Sequence, residues 1–344
     1  MITVSEIVSH LFGWAPKSLA WEKDNIGLIV GDPSQPVTSV LVTLDVTDAV
    51  IEEAAALGAN VVVAHHPPIF TPLKTLRSDV AAQAALMRAI RRSISIIAMH
   101  TNVDAAGSGL NAALAAELGL LDVRPLDGLD DLSRRVTLRI ACERGSETSA
   151  ILHCTDAGRL HAVIRNEQSG LFTLEVDVEE WSLTGLLSAV AVIPGVRLLD
   201  HTITRITTGT VTHGIGSVGR LPAPVAAGAF AAQVRDALGA QSVRVSTGDM
   251  DRPICTVAVC GGSGASLIGR AVAAGADAFV TADLKYHDFT EYRHALMLID
   301  AGHHETERPF ISTCAMILSG MHFPDTEKIS IFTTATDTNP IRFV

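Results

Sequence analysis

Side chains able to bind metal ions follow three apolar segments of this sequence. The segments are Val61–Ala64, Ile94–Met99 and Leu296–Asp300. Imidazole and carboxylate groups are ligands that suit Zn, Mn or Fe in proteins. The five candidate metal ligands that follow these segments are His65, His66, Asp104, His303 and Glu307.

Three such segment ends predict one shared site. In open α/β sheets, ligands bind at the carboxyl ends of the strands. Five protein ligands, with waters completing the coordination shells, suit two divalent ions, which can be Zn, Mn or Fe. A water that bridges two ions about 3.5–4 Å apart has a lowered pKa and can act as the nucleophile of a hydrolysis.

Each cluster alone has a simpler structural explanation. The pair His65–His66 before Pro67 is satisfied by hydrogen bonds near the surface, and Asp104 braces the following turn. Glu307 lies four residues after His303, a spacing that puts both on one helix face, but a glutamate in a first helical turn also meets the helix dipole favourably. The combination of the three clusters, and not any single one, favours a metal centre.

Two further motifs have candidate roles. The stretch from Gly261 to Gly264 follows an apolar segment and precedes a helical pattern, which is the arrangement for a phosphate cradle or for close strand-to-helix packing. It lacks the Lys-Ser/Thr of a P-loop. His287 follows the next apolar segment and is a candidate catalytic residue, as an acid/base or a substrate contact, or a structural histidine beside Tyr286.

The elements that must position these residues predict an α/β fold. Apolar strands alternate with amphipathic helices in residues 1–127 and again in residues 208–344, so we expect parallel strands with right-handed crossovers. Residues 132–205 have the order β-α-β-β-α-β, which is typical of a ferredoxin-like α+β domain. The predicted architecture is a two-part α/β core interrupted by this inserted domain, with an acidic linker from Asp127 to Asp131 and a helix over residues 225–238.

Composition narrows the classes of function. The 344 residues are 48% hydrophobic and carry a formal net charge of −11, which argues against a nucleic-acid or anionic-membrane binder. Five scattered cysteines without a C-x-x-C motif are typical of reduced thiols in the cytoplasm. No apolar run has the length of a membrane span and no signal peptide is recognisable, so we predict a cytoplasmic protein.

The motifs together resemble one protein family. They are Asp24–Leu28, His65–Pro67, His100–Asp104, Val259–Gly264 and Gly302–Glu307, in this order along the chain. The set is similar to that of the NGG-interacting-factor-three family, whose members are often described as GTP cyclohydrolase I type 2 homologues. The resemblance covers about residues 1–125 and 208–344.

The resemblance implies a dinuclear metal site with the same five ligands. It also implies a toroidal homohexamer and, for the insertion, a likeness to the PII signalling fold. GTP cyclohydrolase activity would mean hydrolytic opening of the guanine ring with loss of formate. Two functions stay open: a metal-dependent hydrolase acting on a nucleotide-like or other small phosphorylated substrate, and a non-catalytic metal-binding regulatory or scaffold protein.

Overall fold

The structure is a computed structural model of the chain. It describes residues 1–129, 133–142, 146–166, 171–205, 211–246, 248–321 and 329–344. The predicted domain boundaries at 132 and 208 lie outside these described residues. Two compact units divide the chain, one formed by residues 1–128 with 212–344 and the other by residues 129–211.

The described residues form helices and strands throughout both units. The helices are α1 Val4–Trp14, α2 Asp48–Ala56, α3 Ala81–Arg91, α4 Thr101–Ala105, α5 Leu110–Glu117, α6 Glu147–Ala157, α7 Leu183–Ala191, α8 Ala227–Leu238, α9 Ile268–Ala273, α10 Tyr286–Tyr292, α11 His303–Glu307 and α12 Pro309–Ser319. The strands are β1 Gly27–Val30, β2 Ser39–Thr43, β3 Val61–Ala64, β4 Ser95–Ala98, β5 Leu121–Gly128, β6 Ser133–Cys142, β7 Arg159–Asn166, β8 Leu171–Glu179, β9 Val196–Arg205, β10 Gly214–Ala226, β11 Arg244–Val245, β12 Pro253–Ser263, β13 Ala278–Ala282, β14 Met297–Asp300 and β15 Ser330–Thr333.

The first sheet of the larger unit has the strand order β1-β4-β3-β2-β15. Strands β4, β3, β2 and β15 are parallel, and β1 joins the edge antiparallel to β4. Strands β2, β3 and β4 are buried along their whole length, as continuous apolar runs covered on both faces should be. The predicted α/β class is confirmed, and β15 brings the end of the chain back beside β2.

The second sheet of the larger unit has the order β11-β14-β13-β12-β10-β5. Its central strands β12, β13 and β14 are parallel, while β10 and β5 extend one side in antiparallel pairs. The predicted linker from Asp127 was wrong at its start, because β5 continues to Gly128 by pairing with β10. The predicted helix over 225–238 begins only at Ala227, because β10 continues through Ala226.

The smaller unit contains β6, α6, β7, β8, α7 and β9. Its four strands form an antiparallel sheet in the order β7-β8-β6-β9. This β-α-β-β-α-β order is that of a ferredoxin-like unit. Alternate residues of β8, such as Phe172, Leu174 and Val176, are buried in a core shared with α6 and α7.

Local sequence explains where several helices begin and end. Thr3 and Glu6 form a capping box at the start of α1, with the Thr3 amide donating to the Glu6 carboxylate at 2.7 Å. The Thr47 hydroxyl caps α2 by accepting a hydrogen bond from the Val50 amide. These side chains therefore satisfy backbone amides at the starts of α1 and α2.

Candidate metal centre

The five predicted metal ligands lie at the carboxyl ends of strands in the larger unit. His65 and His66 directly follow β3, and Asp104 lies on α4, which follows β4. His303 and Glu307 are the first and last residues of α11, directly after β14. Strands β3 and β4 are parallel neighbours in the first sheet, and β14 is parallel to β13 in the second. The carboxyl ends of β3, β4 and β14 therefore all lead to residues of the site.

Glu307 is the side chain that the other ligands surround. Its Oε1 lies 3.0 Å from His303 Nε2 and 3.7 Å from His65 Nε2. Its Oε2 lies 3.0 Å from His66 Nε2, although without the angles of a hydrogen bond. Asp104 Oδ1 lies 3.6 Å from His65 Nε2. The structure therefore brings all five predicted ligands together.

The histidine rings present the same nitrogen, Nε2, to the site. His65, which is completely buried, has its Nδ1 2.9 Å from the carbonyl oxygen of Met99. A carbonyl oxygen only accepts hydrogen bonds, so Nδ1–H is the donor. In the neutral ring the other nitrogen, Nε2, then carries the free lone pair, and this atom faces Asp104 and Glu307.

Three more histidines are oriented in the same way by carboxylates. Each Nδ1 lies within hydrogen-bond distance of an aspartate oxygen, which leaves Nε2 for the site. The pairs are His66 with Asp45 at 2.9 Å, His100 with Asp24 at 2.9 Å, and His303 with Asp283 at 2.7 Å. A carboxylate that holds the remote nitrogen of a metal-binding histidine fixes the tautomer and strengthens the ligand.

Sequence reasoning missed His100 and the three aspartates as part of the site. His100 directly follows the apolar segment before Asp104, and its ring centroid lies 5.3 Å from that of His65. Asp45 and Asp283 come two residues and one residue after β2 and β13, so the same rule of strand ends would have found them. Asp283 also has a positive φ of 57°, an unusual conformation for a residue other than glycine.

The donor atoms fit divalent metal ions. The donors of His65, His66 and His100 all lie within 4.8 Å of one another, and so do those of His66, His303 and Glu307. Within the described part of the chain, His65 Nε2 and Glu307 Oε2 are buried without a hydrogen-bond partner. Buried polar atoms are costly unless they are satisfied, and a shared cation would satisfy both.

The electrostatics of the site favour positive charge. Burial and the negative charge of Glu307 raise the pKa of Asp104 to about 6, against the lowering effect of His65. Burial lowers the pKa of His66, but its hydrogen bond with Asp45 and the negative charge of the nearby Glu307 outweigh this and raise it to about 10. The hydrogen bond with Glu307 raises the pKa of His303 to about 9, despite burial. Burial opposes ionisation of Glu307, yet the surrounding histidines hold its pKa well below the usual range.

The glycine-rich stretch packs against α5 and α11, and the amides of Gly261 and Gly262 are both satisfied there. The Gly261 amide donates to Asn111 Oδ1 at 2.9 Å, and the Gly262 amide donates to Thr306 Oγ1 at 3.0 Å. Gly262 has a φ of +62°, and a Cβ there would lie 2.4 Å from Glu307 Oε1. Of the two predicted roles, the structure supports close packing, because these two amides have no free hydrogen to offer a phosphate.

His287 is not among the side chains that meet around Glu307. It lies on α10, is exposed, and its ring packs edge-on against Tyr286 with 5.6 Å between the ring centroids. It follows Asp283, the partner of His303, by four residues. Its catalytic role stays a prediction.

Comparison with known proteins shows the family of the chain. The model of the family described as Duf34/NIF3 (NGG1p interacting factor 3) matches residues 2–340. The chain belongs to this family. The resemblance of the sequence motifs is thereby confirmed.

Relatives match almost the full chain. Proteins named GTP cyclohydrolase 1 type 2 homolog from Bacillus subtilis and Mycobacterium leprae are each 30% identical to it. The matches cover 98% of this chain and 98% of the first protein, and 97% and 93% for the second. A solved structure of a Bacillus cereus protein related to NIF3 has a TM-score of 0.84 at 30% identity, covering 100% of this chain and 99% of that one. A Staphylococcus aureus protein has a TM-score of 0.77 at 25% identity, with the same coverage.

Among the residues that the structure describes, no helix has both the length and the apolar character needed to cross a bilayer.

Proposed function

We propose that this chain is a metal-dependent hydrolase that holds two divalent ions, which can be Zn, Mn or Fe. The observation that carries the proposal is the pair of overlapping donor groups, which share His66 and include the buried Glu307. The five ligands are His65, His66, Asp104, His303 and Glu307, and His100 adds a sixth donor. The substrate is a nucleotide-like or other small phosphorylated molecule.

The residues of the chain divide the work between binding and orientation. The histidines offer Nε2 lone pairs because their Nδ1–H groups donate to Met99 or to aspartates. Glu307 and Asp104 supply negative charge in a buried place, where it attracts cations most strongly. Two divalent ions held by these residues would neutralise phosphate charge and would lower the pKa of water enough to make it a nucleophile at neutral pH.

His287 is the proposed group for proton transfer or substrate contact. Its exposed position on α10 leaves it accessible to a substrate. The variant His287→Ala should lower turnover and leave the metal content of the protein unchanged. Equal turnover in this variant and the wild type would exclude the role.

Elemental mass spectrometry of the purified protein tests the metal site. We expect about two ions per chain in the wild type and a loss of metal in Glu307→Gln and in His65→Ala. His294→Ala is the matched control, because His294 is exposed and its ring nitrogen pairs with Arg293 at 3.0 Å. Full metal occupancy in Glu307→Gln would contradict the ligand assignment.

Turnover assays on the metal-loaded protein separate the two functions left open by the sequence. Hydrolysis of GTP, other nucleotides or simple phosphoesters that disappears with the metal supports the hydrolase. The relatives are named GTP cyclohydrolase 1 type 2 homologues, so GTP belongs in the first set of substrates. Stoichiometric metal without turnover, together with assembly that depends on metal, would favour the regulatory or scaffold protein. The homohexamer and the cytoplasmic location are part of this proposal and await size and localisation measurements.

A further inference from the structure

An exposed phenylalanine lies beside the candidate metal centre. The Phe70 side chain is 56% exposed, and its ring centroid lies 6.4 Å from that of His100. The two rings are perpendicular, with an angle of 88° between their planes. This is a favourable edge-to-face arrangement, so Phe70 has a defined place next to a donor of the metal site and still offers free ring surface.

Two adjacent residues, Asp24 and Asn25, connect the segment of residues 67–73, which contains Phe70, to His100. The Asn25 side-chain amide donates to the carbonyl oxygen of Ile69 at 2.6 Å. The adjacent Asp24 carboxylate accepts hydrogen bonds from His100 Nδ1 at 2.9 Å and from the Thr101 amide at 3.1 Å. The position of the Phe70 backbone is therefore coupled to the position of the His100 ring.

The chain between the metal site and Phe70 is also restricted. Pro67 and Pro68 separate His66 from Ile69, and each proline ring fixes the backbone angle φ at its position. Other exposed apolar residues of this segment, such as Leu73 at 42% exposure, are aliphatic and have no flat π face. Phe70 is thus the aromatic group of this segment that is held beside the metal site.

We propose that Phe70 stacks on a planar ring of the substrate while the phosphorylated part of the same molecule reaches the metal centre. This inference rests on the proposed hydrolase function and narrows its substrate class to phosphorylated compounds that carry a heteroaromatic base. An exposed aromatic ring can stack on any base through its π face. The contact therefore selects for the presence of a base and does not distinguish one base from another by its hydrogen-bonding groups.

Equilibrium binding to the metal-loaded protein tests the contact. The probes are guanosine 5′-monophosphate and ribose 5-phosphate, which differ by the base alone. We expect Phe70→Ala to weaken binding of the nucleotide roughly 5- to 100-fold and to leave binding of ribose 5-phosphate unchanged. Phe70→Trp should keep the preference for the nucleotide because it keeps a π face. Leu73→Ala, an apolar truncation on the same segment, should bind both probes as the wild type does.

Two results would overturn the stacking contact. One is a wild-type protein that binds the nucleotide no more tightly than ribose 5-phosphate, or that binds neither. The other is a Phe70→Ala variant whose affinities for the nucleotide and for ribose 5-phosphate have the same ratio as in the wild type. This result counts against the contact even if size-exclusion chromatography shows a changed elution volume for the variant. Metal content measured on the same samples distinguishes this failure from that of the proposed function. Absence of bound metal contradicts the hydrolase. A wild-type protein that holds metal but shows no preference for the nucleotide contradicts the role of Phe70 alone.

Discussion

The aspartates behind the histidines provide the sharpest test of the metal centre. Asp45 accepts a hydrogen bond from His66 at 2.9 Å, and its side chain is 35% exposed. Asp24 accepts from His100 at the same distance, but its side chain is only 1% exposed and it also holds Thr101. Replacing either by asparagine keeps the shape and removes the negative charge that fixes the Nδ1–H tautomer.

The expected magnitudes follow from exposure. Removal of a carboxylate behind a metal-binding histidine typically costs 10- to 100-fold in metal affinity. Water screens a part-exposed carboxylate, so we expect about a tenfold loss for Asp45→Asn. The buried Asp24 should lie near the upper limit, at about a hundredfold loss for Asp24→Asn. Competition with a chromophoric chelator measures these affinities directly.

A matched control separates orientation of the ligand from surface charge. Asp48 is three residues from Asp45 and pairs with Arg88 away from the histidines, at 3.2 Å. Asp48→Asn should therefore bind metal as the wild type does. Wild-type metal affinity in both Asp45→Asn and Asp24→Asn, with both variants folded by circular dichroism, would refute this role of the aspartates. The aspartates would then be ordinary ion-pair partners.

Three other outcomes follow from the structure. Gly262→Ala should lower the metal content, because the new Cβ would lie 2.4 Å from Glu307 Oε1. Gly58 has a similar positive φ with open space around it, so the control Gly58→Ala should keep its metal and lose only about 1–2 kcal/mol of folding stability. Glu53 accepts hydrogen bonds from Thr334, Ala335 and Thr336, which outweigh burial and lower its pKa. The stabilisation by Glu53 is therefore present above its unfolded pKa and is lost as pH falls through its folded pKa. The free energy of urea unfolding of Glu53→Gln should accordingly depend less on pH in the acid range than that of the wild type. Chelation should lower the melting temperature of the wild type, by an amount that shrinks in Glu307→Gln, since metal stabilises only the folded chain.

The parts of the fold that could be predicted are those encoded by local patterns. Continuous apolar runs joined by helical patterns predict parallel strands, and parallel strands end at one edge of a sheet. That rule alone places His65, His66 and Asp104 together. The joining of β15 to β2 could not be predicted, because it depends on packing between segments nearly 300 residues apart.

The aspartates that orient the histidine rings could not be predicted for a related physical reason. The pairs that orient the rings, such as Asp24 with His100, connect residues on different loops. An aspartate after a strand also suits a turn, so its residue type alone gives no reason to assign it to a histidine. The choice of partner is decided by where the strands lie in the sheet, which is tertiary information.

The charges of the site explain why so many polar groups are buried together. Glu307 and Asp104 both lie within 4 Å of His65 Nε2, and burying two carboxylates is costly without nearby positive charge. The raised pKa values of His66 and His303 favour protonated rings beside these carboxylates, which meets part of this need. Divalent ions at the proposed site would supply the same charge and would release those protons on binding. A core arranged only for stability would place apolar side chains here, so this cluster of charged groups supports the proposed cation site.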